Sequence, residues 1–368
     1  MKKLSEYNSY DPFSICFNIL KLRYKDYDES LSNKKFLNQN DKVNIFINLE
    51  TAFKHLSMIP DLEKKIVLQR DFDINLTSNI LNLAAHYKRF FISNGLDTRL
   101  YLYHTDLSSY EFEQYKYNED YRTYYLLKYN DNPKFAYMTD ILKKSVLPEV
   151  KTYCEFIPNV YYISSKNIEG SLVPYIISQE DLNRKNLIIS GEYYDTQYSF
   201  IPNFINHYIH KGVGYISVSS SINEYMKEIT RKPENEILNL INTYNNYYMY
   251  CSLISVLGDR IRSIDGLTGV GPKTLYNYIE SGIQRKEIQS STSNPEMIGS
   301  IFHDDDVKEE FVNNFYCSSV LNMYDELKSG DKSSIFTQRR DRLDMNSLLS
   351  LNTTRFYNHP LILEALTM

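Results

Sequence analysis

Leu257-Gly-Asp-Arg-Ile-Arg-Ser-Ile-Asp-Gly-Leu-Thr-Gly-Val-Gly-Pro-Lys-Thr-Leu-Tyr-Asn-Tyr-Ile-Glu-Ser-Gly282 combines an acidic turn with a glycine hairpin that opens a helix. Gly266, Gly269 and Gly271 let the backbone approach another backbone, or a phosphate, with no Cβ in the way. Pro272 suits the first helical position, where its missing N–H costs nothing, and Gly282 suits the C-terminal stop. The N-terminus of the helix between them offers free N–H groups and a positive dipole end beside Lys273 and Thr274. Such an end suits one phosphate of a nucleic-acid backbone and reads no sequence. The plainer alternative is a glycine turn that only caps a structural helix.

Outward from this stretch, the chain has 368 residues and 42% apolar content, enough for a packed core in one large or two modest domains. No apolar run reaches the length of about 18 residues that spans a membrane, and the first residues lack an apolar signal stretch, so the cytoplasm is expected, a host's if the gene is viral. Cys16, Cys154, Cys251 and Cys317 are far apart, which favours buried reduced thiols over zinc or disulfides. A net charge of −5 gives no global attraction to a polyanion, so nucleic-acid contact has to come from local patches. The 34 tyrosines are spread over the whole chain and suggest an AT-rich, phage-like or low-GC source rather than a base-stacking surface.

Val43-Asn-Ile-Phe-Ile-Asn-Leu-Glu50 alternates and is rich in β-branched residues, as a buried strand would be. A helical pattern from Asn75 to Phe91 stops at Gly95, and Arg99-Leu-Tyr-Leu-Tyr-His104 reads as the next strand. Asn159-Val-Tyr-Tyr-Ile-Ser164, a helix at 167–177 and Asn186-Leu-Ile-Ile-Ser190 continue the alternation. The expected fold is α/β, a parallel sheet with helices on both faces. In such sheets ligands bind at the carboxyl ends of the strands. The polar residues there are Asn48 and Glu50, Asp106, and Glu192 and Asp195, with Glu169 on the intervening helix. Acids at neighbouring strand ends suit hard divalent cations, which take oxygen ligands and activate water for phosphodiester cleavage. Solvated strand-end charge is the competing reading, most of all for Glu50, Glu192 and Asp195.

The hairpin resembles the helix-hairpin-helix of the flap endonuclease and 5′→3′ exonuclease family, matching its run at Gly258, Asp259, Ile264, Gly266, Gly269, Gly271, Pro272 and Lys273. The resemblance implies a PIN-like parallel sheet followed by a helical DNA-binding domain. It implies Asp106, Glu169, Glu192, Asp195 and Asp259 as ligands of one or two Mg²⁺ or Mn²⁺ ions, and a K⁺ at the hairpin. Glu113-Gln-Tyr-Lys-Tyr-Asn118 is similar to the segment that begins the family's arch. Tyr115 would stack near the scissile bond, and Lys116 would hold the reacting phosphate. Glu119 replaces the family's arginine there, with Arg122 a turn away. Four usual carboxylate positions carry Asn48, Ser171, Leu172 and Arg262. An amide can ligate weakly, whereas a guanidinium repels the ion. Glu50 would stand in for Asn48 if the strand continued, because alternation keeps i and i+2 on one face.

The expected organisation is an N-terminal extension at 1–42 with a helical pattern over 11–27, and a PIN-like domain at 43–250 with its arch near 107–150. A helix-hairpin-helix domain at 251–345 and a tail at 346–368 that packs back on the core complete it. His207 and His210 read as three apart on a helix without a third metal ligand, and Asp304-Asp-Asp306 reads as a turn or helix start. Arg339-Arg-Asp-Arg342 with Lys332 could touch further phosphates or be a solvated face. Two functions stay open: a metal-dependent 5′ nuclease on flaps or 5′ ends, and a degenerate relative that binds branched or duplex DNA without chemistry. DNA is the implied partner, with replisome proteins beyond it, and no membrane is involved.

Overall fold

Val43 to Ile47 and Leu100 to Tyr103 are buried at every position, the pattern of strands covered on both faces. The computed structural model describes residues 23–24, 40–49, 95–105, 142–155, 158–165, 170–191, 193–210, 213–215, 247–258, 264–284 and 295–327. It also describes positions 77, 80, 81, 84, 85, 87, 88, 91 and 92. Seven strands form one sheet: β1 (Arg23–Tyr24), β2 (Lys42–Asn48), β3 (Asp97–Thr105), β4 (Val160–Ser165), β5 (Lys185–Ser190), β6 (Phe204–His210) and β7 (Val213–Tyr215). The order is β1-β7-β6-β5-β2-β3-β4. From β5 to β4 all pairs are parallel, as expected, and β6 adds a further parallel strand where the spacing of His207 and His210 had suggested a helix. The sequence reading did not foresee the edge, where β7 turns back antiparallel on β6 and β1 pairs with β7.

Left-handed residues turn the chain into three of these strands: Asn40 (φ 71°) before β2, Asn159 (φ 58°) before β4 and Asn203 (φ 64°) before β6. Asparagine tolerates that region because its short side chain can bond locally. Gly95 (φ 81°) does the same before β3 and ends the helical segment as expected, its N–H bonding Ile92 O at 2.9 Å.

Among the described residues, after the helical positions between 77 and 92, the α-helices are in chain order α1 (Leu147–Cys154), α2 (Val173–Ser178), α3 (Tyr247–Leu257), α4 (Pro272–Gln284), α5 (Pro295–Gly299), α6 (Asp305–Ser318) and α7 (Val320–Leu327). Two 3₁₀ segments, Gly170–Leu172 and Tyr193–Phe200, follow β4 and β5. One apolar cluster runs from the sheet (Phe46, Tyr101, Tyr103, Ile188) through α2 and α3 to Leu275, Phe311 and Phe315. The position at which the sequence reading divided the chain, 250/251, falls inside α3. Gln197 fastens the two parts: its Oε1 accepts the Tyr247 hydroxyl at 2.6 Å and the Val320 N–H at 2.9 Å.

Several expectations are corrected. Arg23–Tyr24, within the stretch read as a helix, is a strand; it has two residues that can pair along β7. His207 and His210 lie on β6, a strand, so the helical spacing behind the paired-ligand idea does not hold. Gly282 does not stop α4, which continues to Gln284 with Gly282 buried inside it. β2 ends at Asn48 and Leu49 is already helical, so the alternation that would bring Glu50 beside Asn48 does not apply. Asp304 is the N-cap of α6, accepting from the N–H groups of Asp306 and Val307, in line with a helix start. Cys154, Cys251 and Cys317 are buried and form no disulfide among the described residues, and burial pushes the Cys251 thiol up to about 12. Cys16, the rest of residues 11–27, Thr51 to Leu56, and Lys332 with Arg339 to Arg342 lie outside the described residues. No helix among the described residues is long and apolar enough to cross a membrane.

At the amino end of the sheet Arg184 is 1% exposed and joins three strands. Its guanidinium donates to Asn44 Oδ1 (2.7 Å), Asp97 Oδ2 (3.0 Å), Val43 O (3.0 Å) and Asp97 O (2.8 Å). The hydrogen bond from Arg184 holds the Asp97 carboxyl below its ordinary range. Arg184→Leu should strand these acceptors and lower stability by about 3 kcal/mol in urea unfolding. The Asp97 contribution is present above about pH 4 and fades as pH falls through its lowered value, so the variant should also show a weaker acid dependence.

Lys88 sits on the inward stripe 77, 81, 84, 88, 91 and is 3% exposed. Desolvation pushes its amine down to about 8. The folded state therefore disfavours the charged form, a cost fully present below about pH 8 and relieved as pH rises toward 10.5. Lys88→Met should raise the melting temperature at pH 7 and remove the gain in stability between those values.

Candidate functional site

The last residues of β2, β3, β4 and β5 are Asn48, Thr105, Ser165 and Ser190, four polar side chains at one end of adjacent parallel strands. Parallel alignment brings them there, and β2, flanked by β3 and β5, is where the strand order reverses. Asn48 and Tyr103 face each other across the β2–β3 pair. The Tyr103 hydroxyl donates to Asp195 Oδ2 at 3.3 Å and is also hydrogen-bonded to Asn48. Burial first, then the charge of Asp195, pushes Tyr103 far above its ordinary value, so it stays a proton donor. Asp195 lies in the 3₁₀ segment after β5, near the strand end where it was expected, but it is 0% exposed. The Tyr198 hydroxyl donates to Ser171 O at 2.6 Å and accepts from Tyr175 N–H at 3.3 Å, closing this end from the α2 side.

Ser171 and Leu172, two positions where the family resemblance fails, are buried, and Leu172 belongs to the apolar cluster. Neither reaches solvent. Just before them Gly170 N–H bonds Thr105 Oγ1 at 3.0 Å, and a Cβ on Gly170 would meet Thr105 N at 2.9 Å. That bare glycine lets the 3₁₀ segment lie against the end of β3. On the opposite face of β3, His104 Nδ1–H donates to Thr105 O (2.9 Å) and Nε2 accepts the Tyr162 hydroxyl (2.6 Å), the tautomer being assigned from these partners.

The hairpin is built from glycines with two different jobs. Gly258 (φ 76°) ends α3, and a Cβ there would come within 2.5 Å of Gly266 N and Ile264 O. Gly266 returns the contact, its Cβ position lying 2.5 Å from Leu257 O. Of the two partners open to Gly266 in the sequence, it meets backbone. Gly269 (φ 76°) has nothing within 4 Å of its Cβ position and is exposed with Thr268. Val270 N–H bonds Leu267 O at 3.2 Å, which makes Leu267 to Val270 a β-turn with Gly269 at the position that needs positive φ. Gly271 O accepts the first helical bond, from Leu275 N–H at 2.9 Å, and Pro272 is the first residue of α4 as expected. Lys273 and the half-buried Thr274 follow in the first turn. An exposed turn leading into a helix start can take an anion.

Of the site residues the sequence proposed, Asn48, Asp195, Gly266, Gly269, Gly271, Thr274 and the backbone of Lys273 are described. Glu50, Asp106, Tyr115, Lys116, Glu169, Glu192, Asp259 and Arg262 lie outside the described residues. Among the described residues no three His, Cys, Asp or Glu side chains converge to hold a metal ion. Asn48 and Asp195 are oxygen donors, but a fully buried carboxylate engaged by Tyr103 does not by itself hold an ion. The structure adds Tyr103, Gln197 and Asn314, whose only sequence signal is polarity at a position of buried parity.

No family model and no curated protein sequence matches the chain. Among solved structures it is similar to a T5 5′-exonuclease with divalent zinc ions bound, at 13% identity and a TM-score of 0.47, over 80% of this chain and 95% of that one. It is similar too to a bacteriophage T5 flap endonuclease in a pseudo-enzyme–product complex with DNA and metal ions, at 13% identity and a TM-score of 0.48, over 88% of this chain and 100% of that one.

Asn48→Asp should place a second carboxylate against Tyr103 and Asp195. Without a cation the variant should be destabilised at pH 7 relative to pH 5, because like charges in one buried site disfavour joint ionisation. Calorimetry at the two pH values, with and without Mg²⁺, measures this.

Proposed function

We propose that the chain is a divalent-metal-dependent 5′ nuclease acting on flaps or 5′ ends of DNA. The observation that carries this reading is the contact between Gly170 and Thr105 at the carboxyl end of the sheet. Glu169 and Asp106 are their immediate neighbours in the sequence. Two acids tied covalently to touching residues suit a shared metal site. Divalent ions held by Asp106, Glu169, Glu192 and Asp259 would supply a water of lowered pKa and positive charge for the leaving oxygen. Lys116 would hold the reacting phosphate, Tyr115 would stack beside it, and the α4 N-terminus with Lys273 and Thr274 would grip a duplex phosphate. Asp195 serves this site by fixing Tyr103 and Asn48 rather than by meeting solvent.

A second reading, a relative that binds branched DNA without chemistry, is favoured by the neutral Asn48 and Ser171, the apolar Leu172 and the sealed Asp195. The two separate in one experiment. Purified protein with Mg²⁺ or Mn²⁺ on a labelled 5′-flap substrate should cleave it. Asp106→Ala and Asp259→Ala should each lower the rate at least about 100-fold, the scale of losing groups that stabilise transition-state charge. Wild-type cleavage no faster than in these variants, with chelator-resistant flap binding, would support the binding protein instead.

A further inference from the structure

The carbonyls of the last turn of a helix lack intrahelical partners. In α3 two of them are met by the hairpin or by what braces it. Gly258 N–H closes the helix's last i to i−4 bond on Ile254 O (2.8 Å); beyond it, Val256 O accepts Leu267 N–H (3.0 Å) and Ser255 O accepts Asn314 Nδ2 (3.1 Å). Asn314 Nδ2 also donates to Asp265 O at 2.8 Å. Asn314 is 4% exposed on the inner face of α6, between the buried rings of Phe311 and Phe315. An amide there is costly unless hydrogen-bonded, and its short stem offers two N–H donors with no charge. Both acceptors are backbone oxygens from separate segments, one where the chain leaves α3 and one where it enters the hairpin turn. Together with the Gly258–Gly266 contact, these bonds hold the hairpin residues 264–267 against the end of α3.

We propose that Asn314 is a positioning residue that holds the turn at 267–270 against the carboxyl end of α3, so that the exposed turn and the start of α4 keep one orientation toward a duplex phosphate. The functional half of this rests on the nuclease reading; the positional half does not. Leucine matches asparagine in size and removes both donors, whereas glutamine keeps them on a longer stem.

Hydrogen exchange followed by mass spectrometry on the full chain tests it. In Asn314→Leu, exchange over residues 264–270 should quicken about tenfold, the scale of losing one or two hydrogen bonds, while β2 and β5 keep their protection. Asn314→Gln should fall between that variant and the wild type. An unchanged rate, or one raised equally in the strands, would overturn the proposal, since a purely structural role would loosen the whole core. If Asn314→Leu fails to fold, Asn314→Gln decides by the same local-against-global comparison. Duplex binding by fluorescence anisotropy is the functional arm: Asn314→Leu should bind about tenfold more weakly with a shallower salt dependence. Wild-type protein that binds no duplex would sink the nuclease reading, while the exchange result would still decide the role of Asn314.

Discussion

A strand covered on both faces can carry polar side chains cheaply only where they find partners, and in this sheet they concentrate at its two ends. At one end Arg184 gathers Asn44, Val43 and Asp97 into a closed set of donors and acceptors. At the other, Asn48, Tyr103 and Asp195 are joined by the single hydroxyl of Tyr103. The first end is structurally saturated. The second is where β2, β3, β4 and β5 deliver chain toward the acids that sequence reading singles out.

The helical part is bound to this end by polar contacts set inside apolar packing. Gln197 takes a tyrosine hydroxyl from α3 and a backbone N–H from α7, and neighbouring Thr196 meets Tyr250 at 2.6 Å. These bonds add direction to the packing: an apolar cluster tolerates sliding, whereas a buried amide that loses its partner carries its full desolvation cost. Asn314 does the same a few turns away, for the hairpin. α3 contacts both the 3₁₀ segment after β5 and α4, which the hairpin opens.

Local signals made much of this legible. Alternating β-branched runs marked β2 to β5, Gly95 marked a helix end, and Pro272 marked the start of α4. Where the reading failed, it applied a local pattern beyond its reach. Residues 207 and 210 have helical spacing but lie in a strand, because pairing with β5 outweighs propensity there. Glu50 was tied to Asn48 by an alternation that ends at residue 48. Asn314 and Arg184 were invisible for another reason. Their partners lie 49 to 141 residues away, and a lone polar residue on a buried face looks in sequence like an interruption. A bare glycine left Gly266 two possible partners, another backbone or a phosphate, and the coordinates set it against Leu257 O.

The covering of β7 by Arg23–Tyr24 has a consequence for assembly. β7 is a three-residue strand, and β1 occupies its outward row of N–H and C=O groups. A chain trimmed to begin at β2 would bare that row, and an uncovered strand edge is a template for pairing with another copy. The short early strand thus acts as a guard against self-association, a service that a two-residue element can give and that its length would not suggest.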